Sequence, residues 1–336
     1  MRVDFAAEVR RNKSTRIPRT TPQIRAMSAM SIAFVPPMLP TLVDEPPMGS
    51  GWVHEIKHDG YRTLLLIDGG RARALSRQGR DWTGDFPSVC AAASGLSCRS
   101  AIIDGETVVL DANGRSDFSA LRRAIHRRQP LVFFGFDLLH LDGEDLRRRP
   151  LGERRARLAG MLDRRGPVLQ FSDTFDGDGA AFFAAAARME LEGIISKRIN
   201  SRYASGRTQH WLKVKCFDEG AFILLGTEVK KSGPPAAHLA RIEGGKLAYA
   251  GKAMISLTAE NRTRLSEQMA ALEIEKPACP ELRRERGARW VKPELVVGVK
   301  HLKGTGGLRH ATVRALYTGT PAGDVRLPPL NAGEQT

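Results

Sequence analysis

Residues 55–62 read EIKHDGYR, a stretch that combines a lysine, an aspartate and a glycine within four positions. On an extended segment Lys57 and Asp59 point to the same face, because successive side chains alternate between the two faces. Gly60 then permits a tight bend. A lysine beside a carboxylate at a strand end can act as a nucleophile when its amine loses its proton. A surface ion pair between the same two residues is the alternative.

A second stretch, residues 211–215, reads WLKVK. If it forms a strand, Trp211, Lys213 and Lys215 share one face because the side-chain period is two. Two lysines that project together from a strand favour a polyphosphate ligand. A solvated outer face would give the same pattern.

Short β-rich runs separated by Asp-Gly and Gly-Gly turns predict strands around these two stretches. The predicted strands are residues 52–57, 61–67, 71–75, 101–110, 131–140, 193–197 and 211–215. Helical patterns lie between them, at residues 118–128, 151–163 and 179–191. This mixture predicts an α+β fold with antiparallel sheets.

A second unit is predicted to begin near Phe217. Its predicted strands are residues 222–229, 246–254, 289–302 and 308–317, with one helix at residues 258–272. A β-barrel of roughly 100 residues with one helix fits an OB-fold. The predicted order is a basic, disordered tail (1–34), the α+β unit (35–216), the OB-fold unit (217–320) and a short tail (321–336).

The chain has 336 residues and a net charge of +15, from 52 Lys and Arg against 37 Asp and Glu. Such an excess favours a polyanionic partner, and residues 1–30 alone carry +5. No apolar run approaches the roughly 20 residues that span a bilayer. We therefore expect a protein of the cytosol that binds nucleic acid, not a membrane.

Six stretches, in their order and spacing, resemble the nucleotidyltransferase superfamily of ATP-dependent DNA ligases and capping enzymes. EIKHDGYR matches the K-x-D-G-x-R signature of that superfamily. The chain is most similar to the bacterial ligase D group of non-homologous end joining, over roughly residues 35–320. The stretches are PMLPTLVDEPP (37–47), EIKHDGYR (55–62), LSRQGRDWT (75–83), FDLLHLDGED (136–145), EGIISKR (192–198) and WLKVKC (211–216).

The resemblance implies an adenylation domain over residues 35–216 and a reaction in three steps. Lys57, with Asp59 beside it, would attack the α-phosphate of ATP and retain AMP as a phosphoramidate. AMP would then pass to a 5′-phosphate in DNA, and a 3′-hydroxyl would displace it to form a phosphodiester. Positioning and charge stabilisation dominate such phosphoryl transfers, so cations and a divalent metal should surround the α-phosphate.

The resemblance also implies the roles of the residues around ATP. Glu55 would help to hold the adenine and Phe136 would stack on it. Glu106 and Glu192 would bind Mg²⁺ or Mn²⁺. The full set implied for ATP is Glu55, Arg62, Arg77, Glu106, Phe136, Arg207, Lys213, Lys215 and Arg309. In the barrel, Arg314 is the second choice after Arg309, and on a strand the two would lie on opposite faces.

The resemblance implies nicked or broken double-stranded DNA as substrate, repair and recombination as the process, and an end-binding repair protein as partner. With about 50 residues before the first motif, we expect a stand-alone, monomeric ligase. An RNA ligase or capping-type guanylyltransferase would use the same lysine chemistry, and a non-catalytic DNA-binding scaffold would keep the same fold. An NAD-dependent ligase is disfavoured because neither a nicotinamide-binding domain nor a cysteine-rich zinc module is visible.

Overall fold

The computed structural model describes residues 32–127, 130–162, 166–229, 234–282, 287–303 and 307–317. The strands are β1 Met38–Leu42, β2 Trp52–Ile56, β3 Tyr61–Asp68, β4 Arg71–Ser76, β5 Ser100–Val108, β6 Val132–Leu141, β7 Glu144–Asp145, β8 Leu169–Phe171, β9 Gly193–Arg198, β10 Gly206–Lys215, β11 Phe217–Glu228, β12 Ala236–Glu243, β13 Lys246–Ile255, β14 Glu273–Ile274, β15 Ala288–Val291, β16 Val296–Leu302 and β17 Thr312–Tyr317. The helices are α1 Pro87–Ser94, α2 Phe118–Arg127, α3 Leu151–Leu162, α4 Gly179–Arg188 and α5 Ala259–Ala271.

A six-stranded sheet forms the centre of the first part of the chain, in the order β4-β3-β5-β6-β7, with β8 parallel to β6. Its side chains alternate between two cores, as the period of two requires. On one face Leu65 and Ile103 pack with Val89 of α1, Leu121 of α2 and Leu158 of α3. This face is therefore closed by helices.

The other face of the six-stranded sheet packs against a four-stranded sheet in the order β1-β10-β9-β2. Leu64 and Leu66 of β3 meet Met38 of β1, Val53 of β2 and Trp211 of β10 in this second core. The stretch EIKHDGYR begins at the end of β2, in the same four-stranded sheet as WLKVK on β10, and ends on β3 of the facing sheet. The two stretches therefore meet at one side of the molecule, although about 150 residues separate them in sequence.

A third sheet contains the strands from β11 onward, in the order β12-β13-β17-β16-β11-β15-β14. Because β11 pairs with β12 as well as with β16, five strands close into a ring. Leu265 and Met269 of α5 pack into the core of this ring with Leu224, Val297 and Val313. A closed ring with one helix is what the sequence predicted for the OB-fold unit.

Helices α4 and α5 begin at residues whose side chains cap them. Thr258 accepts a hydrogen bond from the Asn261 amide at the start of α5, and Asp178 accepts one from the Ala180 amide at the start of α4. The longest helix, α5, has 13 residues. In the described ranges no helix is long and apolar enough to cross a membrane.

Two predicted strands of the second unit are wrong in their extent. Residues 289–302 form two strands, because Pro293 lacks an N–H donor and the chain turns at Lys292–Leu295 between β15 and β16. Residues 308–311 are not part of β17, since His310 has a left-handed φ of 48°. Helix α1 and strand β12 were not predicted.

The predicted terminal tails lie almost entirely outside the described residues. Of residues 1–34 only 32–34 are described, and there Ile32 and Phe34 pack, partly buried, against the core between the two sheets. Residues 321–336 are not among those described.

Candidate active site

Lys57 follows directly after β2, and its backbone amide donates to the Gly193 carbonyl at 2.9 Å. This bond holds the start of the motif against β9. The Lys57 ammonium donates to Glu192 Oε2, and the second oxygen of that carboxylate lies 3.5 Å from Lys215 Nζ. The Lys57 side chain is 19% exposed and Glu192 only 5%. Glu192 thus links the two lysines of the two predicted motifs.

Gly60 is required by a close approach of two backbones. A Cβ on this residue would lie 2.2 Å from the carbonyl oxygen of Thr107 on β5 and 2.7 Å from Val108 Cγ1. The tight bend expected at Gly60 is therefore less important than the absence of a side chain, which lets the motif loop lie against β5.

A cleft of about 860 Å³ opens beside Lys57 between the two facing sheets. It brings together most of the residues predicted for ATP: Glu55, Lys57, Arg62, Arg77, Glu106, Phe136, Arg207 and Lys213. Leu39, Pro40 and Ile195 supply apolar walls. Cations therefore line a cleft that also offers an aromatic ring and carboxylates, which matches the chemistry of a nucleoside triphosphate.

Phe136 reaches this cleft through a β-bulge. In the β5–β6 register Asp104 pairs with Asp137 and Gly105 with Gly135, so Phe136 is an extra residue without a partner. A bulge redirects a side chain relative to the regular alternation. Phe136 consequently joins the core between the sheets, while Phe133 packs with the helices. The Phe136 ring is 7% exposed.

Arg62 is fixed by a carboxylate to which the sequence assigned no role. Its Nε and Nη2 atoms donate to the two oxygens of Asp104 at 2.6 and 2.7 Å. Tyr203 donates its hydroxyl hydrogen to the same carboxylate at 2.6 Å and accepts from the Met38 amide at 3.0 Å. The Arg62 guanidinium carbon lies 4.5 Å from the centroid of the Phe136 ring. Asp104 therefore positions Arg62 directly, and Arg62 in turn packs against the ring of Phe136.

Glu106 lies in the cleft in an environment that disfavours its charge. Burial raises the pKa of Glu106 to about 7; Arg62 and Lys57 oppose this rise, whereas the negative charges of Glu192 and Asp104 add to it. Burial also lowers the pKa of Lys213, and the charges of Lys215 and Lys57 lower it further. The cleft thus contains crowded charges of both signs that a phosphate and a cation would relieve.

The predicted metal ligands fit a divalent ion that is completed by a nucleotide. Within the described residues no group of three or more His, Cys, Asp and Glu side chains could hold a metal alone. Glu192 lies close enough to Glu106 for its charge to raise the pKa of Glu106. Mg²⁺ is commonly bound through one or two carboxylates together with substrate phosphates and waters. Two such carboxylates beside Lys57 suit that mode.

A second cleft of about 660 Å³ lies on the other side of Lys57. Asp59, Glu192 and Arg309 line it, and Arg309 donates both Nη atoms to the Asp59 carboxylate, Nη2 at 2.8 Å. Arg309 lies in the turn before β17, so the premise that it shares a strand with Arg314 is wrong. Arg314 is exposed on β17 and lines neither cleft.

Three further residues of the site had no predicted role. Lys197 ends on the cleft side of β9, where alternation with Ile195 could have revealed it. His58 stacks on Phe134 with ring centroids 4.0 Å apart, and burial lowers the pKa of His58 to about 4. Arg155 contacts Glu55 from helix α3, and no sequence pattern predicts that contact.

Two family models match the chain, and together they cover most of it. The ATP dependent DNA ligase domain matches residues 37–215, and the ATP dependent DNA ligase C terminal region matches residues 231–318. The multifunctional non-homologous end joining protein LigD of Pseudomonas aeruginosa is 36% identical over 309 residues, which cover 87% of this chain and 36% of that protein. LigD of Mycobacterium tuberculosis is 34% identical over 277 residues, 80% of this chain and 36% of that protein. The chain thus spans about a third of the length of these relatives.

Solved structures show the same likeness. A mycobacterial DNA ligase D complexed with ATP and MES is 30% identical with a TM-score of 0.51, over 86% of this chain and 97% of that chain. The ligase domain of M. tuberculosis LigD is 29% identical with a TM-score of 0.50, over 87% and 98%. These matches confirm the predicted fold class, an α+β nucleotidyltransferase unit followed by an OB-fold unit.

Proposed function

Since the chain belongs to the ATP-dependent DNA ligases, as its motifs predicted, we propose that it joins breaks in double-stranded DNA through a covalent adenylate on Lys57. The observation that carries this proposal is the position of Lys57 between two clefts, one suited to a nucleotide and one shared with the OB-fold unit. The functional units are residues 35–216 for adenylation and 217–320 for the OB-fold unit.

In the first step the neutral Lys57 amine attacks the α-phosphorus of ATP. A P–N bond forms between the α-phosphorus and Lys57 Nζ, and the bond from the α-phosphorus to the oxygen that bridges to the β-phosphate breaks. Pyrophosphate leaves, and the amine proton passes to solvent. Arg62, Arg207, Lys213 and Lys215 stabilise the charge on the phosphates, and Phe136 and Glu55 hold the base. Asp59 keeps the motif loop in place through its pair with Arg309.

Glu106 and Glu192 are the residues that would hold a divalent cation, Mg²⁺ or Mn²⁺, at this site. When bound, the cation supplies charge stabilisation at the phosphate oxygens. Glu192 already pairs with Lys57, and its release from that pair would free the amine for attack.

In the second step an oxygen of a 5′-phosphate at a DNA break attacks the adenylate, and the P–N bond to Lys57 breaks. In the third step the 3′-hydroxyl attacks the activated 5′-phosphate, and AMP leaves. Arg77 is an exposed cation at the edge of the nucleotide cleft, which suits it to a DNA phosphate. Repair and end joining in the bacterial cytosol or nucleoid, with an end-binding protein as partner, is the proposed setting.

Labelling with α-³²P nucleotides and a nicked duplex tests the proposal. ATP should label the protein, GTP should not, and the labelled protein should seal a nicked DNA duplex in preference to a nicked RNA duplex. Lys57→Ala should abolish labelling, whereas the exposed Lys246→Ala should keep it. Label retained on the Lys57→Ala protein, or label taken from GTP, would contradict the proposal and favour a different lysine or a capping-type enzyme.

A further inference from the structure

Arg155 on helix α3 lies behind the nucleotide cleft, 5% exposed, and bonds to three parts of it. Its Nη1 atom donates to Glu55 Oε1 at 3.1 Å and to the Phe136 carbonyl at 2.9 Å. Its Nη2 atom donates to the Ser172 carbonyl at 2.6 Å, and the guanidinium carbon lies 4.6 Å from the Phe171 ring centroid. The planar guanidinium of Arg155 thus fixes the Glu55 carboxylate relative to the backbone of Phe136, whose ring forms the aromatic wall of the cleft.

The donors around Glu55 are distributed unequally between its two oxygens. Oε1 receives two cations, Arg155 and Lys197, whose Nζ lies at 2.5 Å. Among the described residues, Oε2 receives one hydroxyl, from Ser172 at 3.1 Å. A carboxylate has about four lone-pair sites, so Oε2 retains capacity for one more donor. Glu55 is 2% exposed and lines the cleft, so a ligand in the cleft can supply that donor.

We propose that Arg155 is a positioning residue for base recognition. It holds the Glu55 carboxylate in a fixed position relative to the Phe136 backbone, so that Glu55 Oε2 accepts a hydrogen bond from the 6-amino group of adenine. The inference rests on the proposed function, since it needs ATP in this cleft. A 6-oxo purine presents a carbonyl oxygen at the same position. Two acceptors then face each other in a buried site, and the base is rejected.

The neighbouring Arg154 provides a matched comparison on the same helix. It is fully buried and donates to both oxygens of Asp137 at 2.7 Å and to the carbonyls of Arg149 and Ser201. Arg154 lines neither cleft. Arg154 is therefore buried and charged like Arg155 and lies on the same helix, but it does not contact the Glu55 carboxylate.

The test is enzyme labelling with α-³²P ATP against α-³²P ITP, which differs from ATP by a 6-oxo group and an N1 proton. The wild type should prefer ATP by at least about a hundredfold. Arg155→Lys should reduce that preference at least about tenfold, mainly through a higher KM for ATP, because lysine cannot reach all three acceptors. Arg154→Lys should lower the melting temperature and leave the ATP/ITP ratio unchanged. Ser172→Ala tests the same carboxylate without altering α3, and should also reduce the ratio.

The outcomes separate the two proposals. If the wild type forms no adenylate, the proposed function fails and this inference fails with it. If the wild type is labelled by ATP but Arg155→Lys keeps the wild-type ratio, only the role of Arg155 is overturned, whatever the result for Ser172→Ala. If Arg154→Lys reduces the ratio as much as Arg155→Lys does, the effect is general loosening of α3 and the inference is also overturned.

Discussion

Glu106 should make the stability of the folded chain depend on pH. Its pKa rises from the ordinary 4.5 to about 7 in the fold, mainly through burial. Between these values the folded state holds a proton that the unfolded state has released, so stability falls as pH rises from about 4.5 to 7 and is level above. Glu106→Gln should reduce this pH-dependent loss in the free energy of unfolding by up to about 3 kcal/mol. Urea unfolding of the wild type and of Glu106→Gln at pH 4.5 and 7.5 measures the loss. Parallel pH profiles of the two proteins would contradict the raised pKa of Glu106.

Side chains that line the two clefts were predictable where a motif contains them, as with Lys57, Glu192 and Lys213. The residues that hold them were not. Asp104 fixes Arg62, from which it is separated by 42 positions of sequence. Arg155 contacts Glu55, from which it is separated by 100 positions. Such contacts depend on how sheets and helices pack, and a local pattern of charges carries no information about them.

At the scale of elements, Gly60 fixes how closely the motif loop approaches β5. An added methyl group would meet the Thr107 carbonyl at 2.2 Å, and a backbone atom cannot rotate away. Gly60→Ala should therefore cost about 1–3 kcal/mol or more and slow formation of the Lys57 adenylate. Gly84→Ala is the control, because a methyl group there meets nothing within 4 Å. Unfolding in urea and labelling with ATP test both variants, and equal behaviour of the two would show that the loop can move.

Most elements of the adenylation unit were predictable because their sequences are short alternating or β-rich runs, separated by turn residues such as Asp-Gly and Gly-Gly. The exceptions have local physical causes. In the OB-fold unit, Pro293 divides the predicted strand at residues 289–302, and the left-handed His310 delays the start of β17 to Thr312. The bulge at Phe136 arises from the pairing of β5 with β6, so it has no signature in β6 alone.

At the scale of the whole molecule, the bond between Arg309 and Asp59 joins the third sheet to the lysine motif across 250 residues. It places an OB-fold turn against the second cleft beside Lys57. In the proposed second step a DNA end reaches the same lysine. We therefore expect the bond between Arg309 and Asp59 to break before a DNA end approaches the adenylate.

The net charge of +15 should appear as a steep salt dependence in the DNA steps alone. A protein that contacts six to ten phosphates releases a similar number of counterions and loses roughly 10³–10⁵ in affinity between 50 and 200 mM salt. Fluorescence anisotropy with a nicked duplex measures this slope. ATP labelling of the free protein is the matched control and should change far less, because its cations act within a partly enclosed cleft, where screening is weaker. A flat response of DNA binding would mean that the excess charge does not contact DNA. An equally steep response of labelling would place that charge at the nucleotide instead.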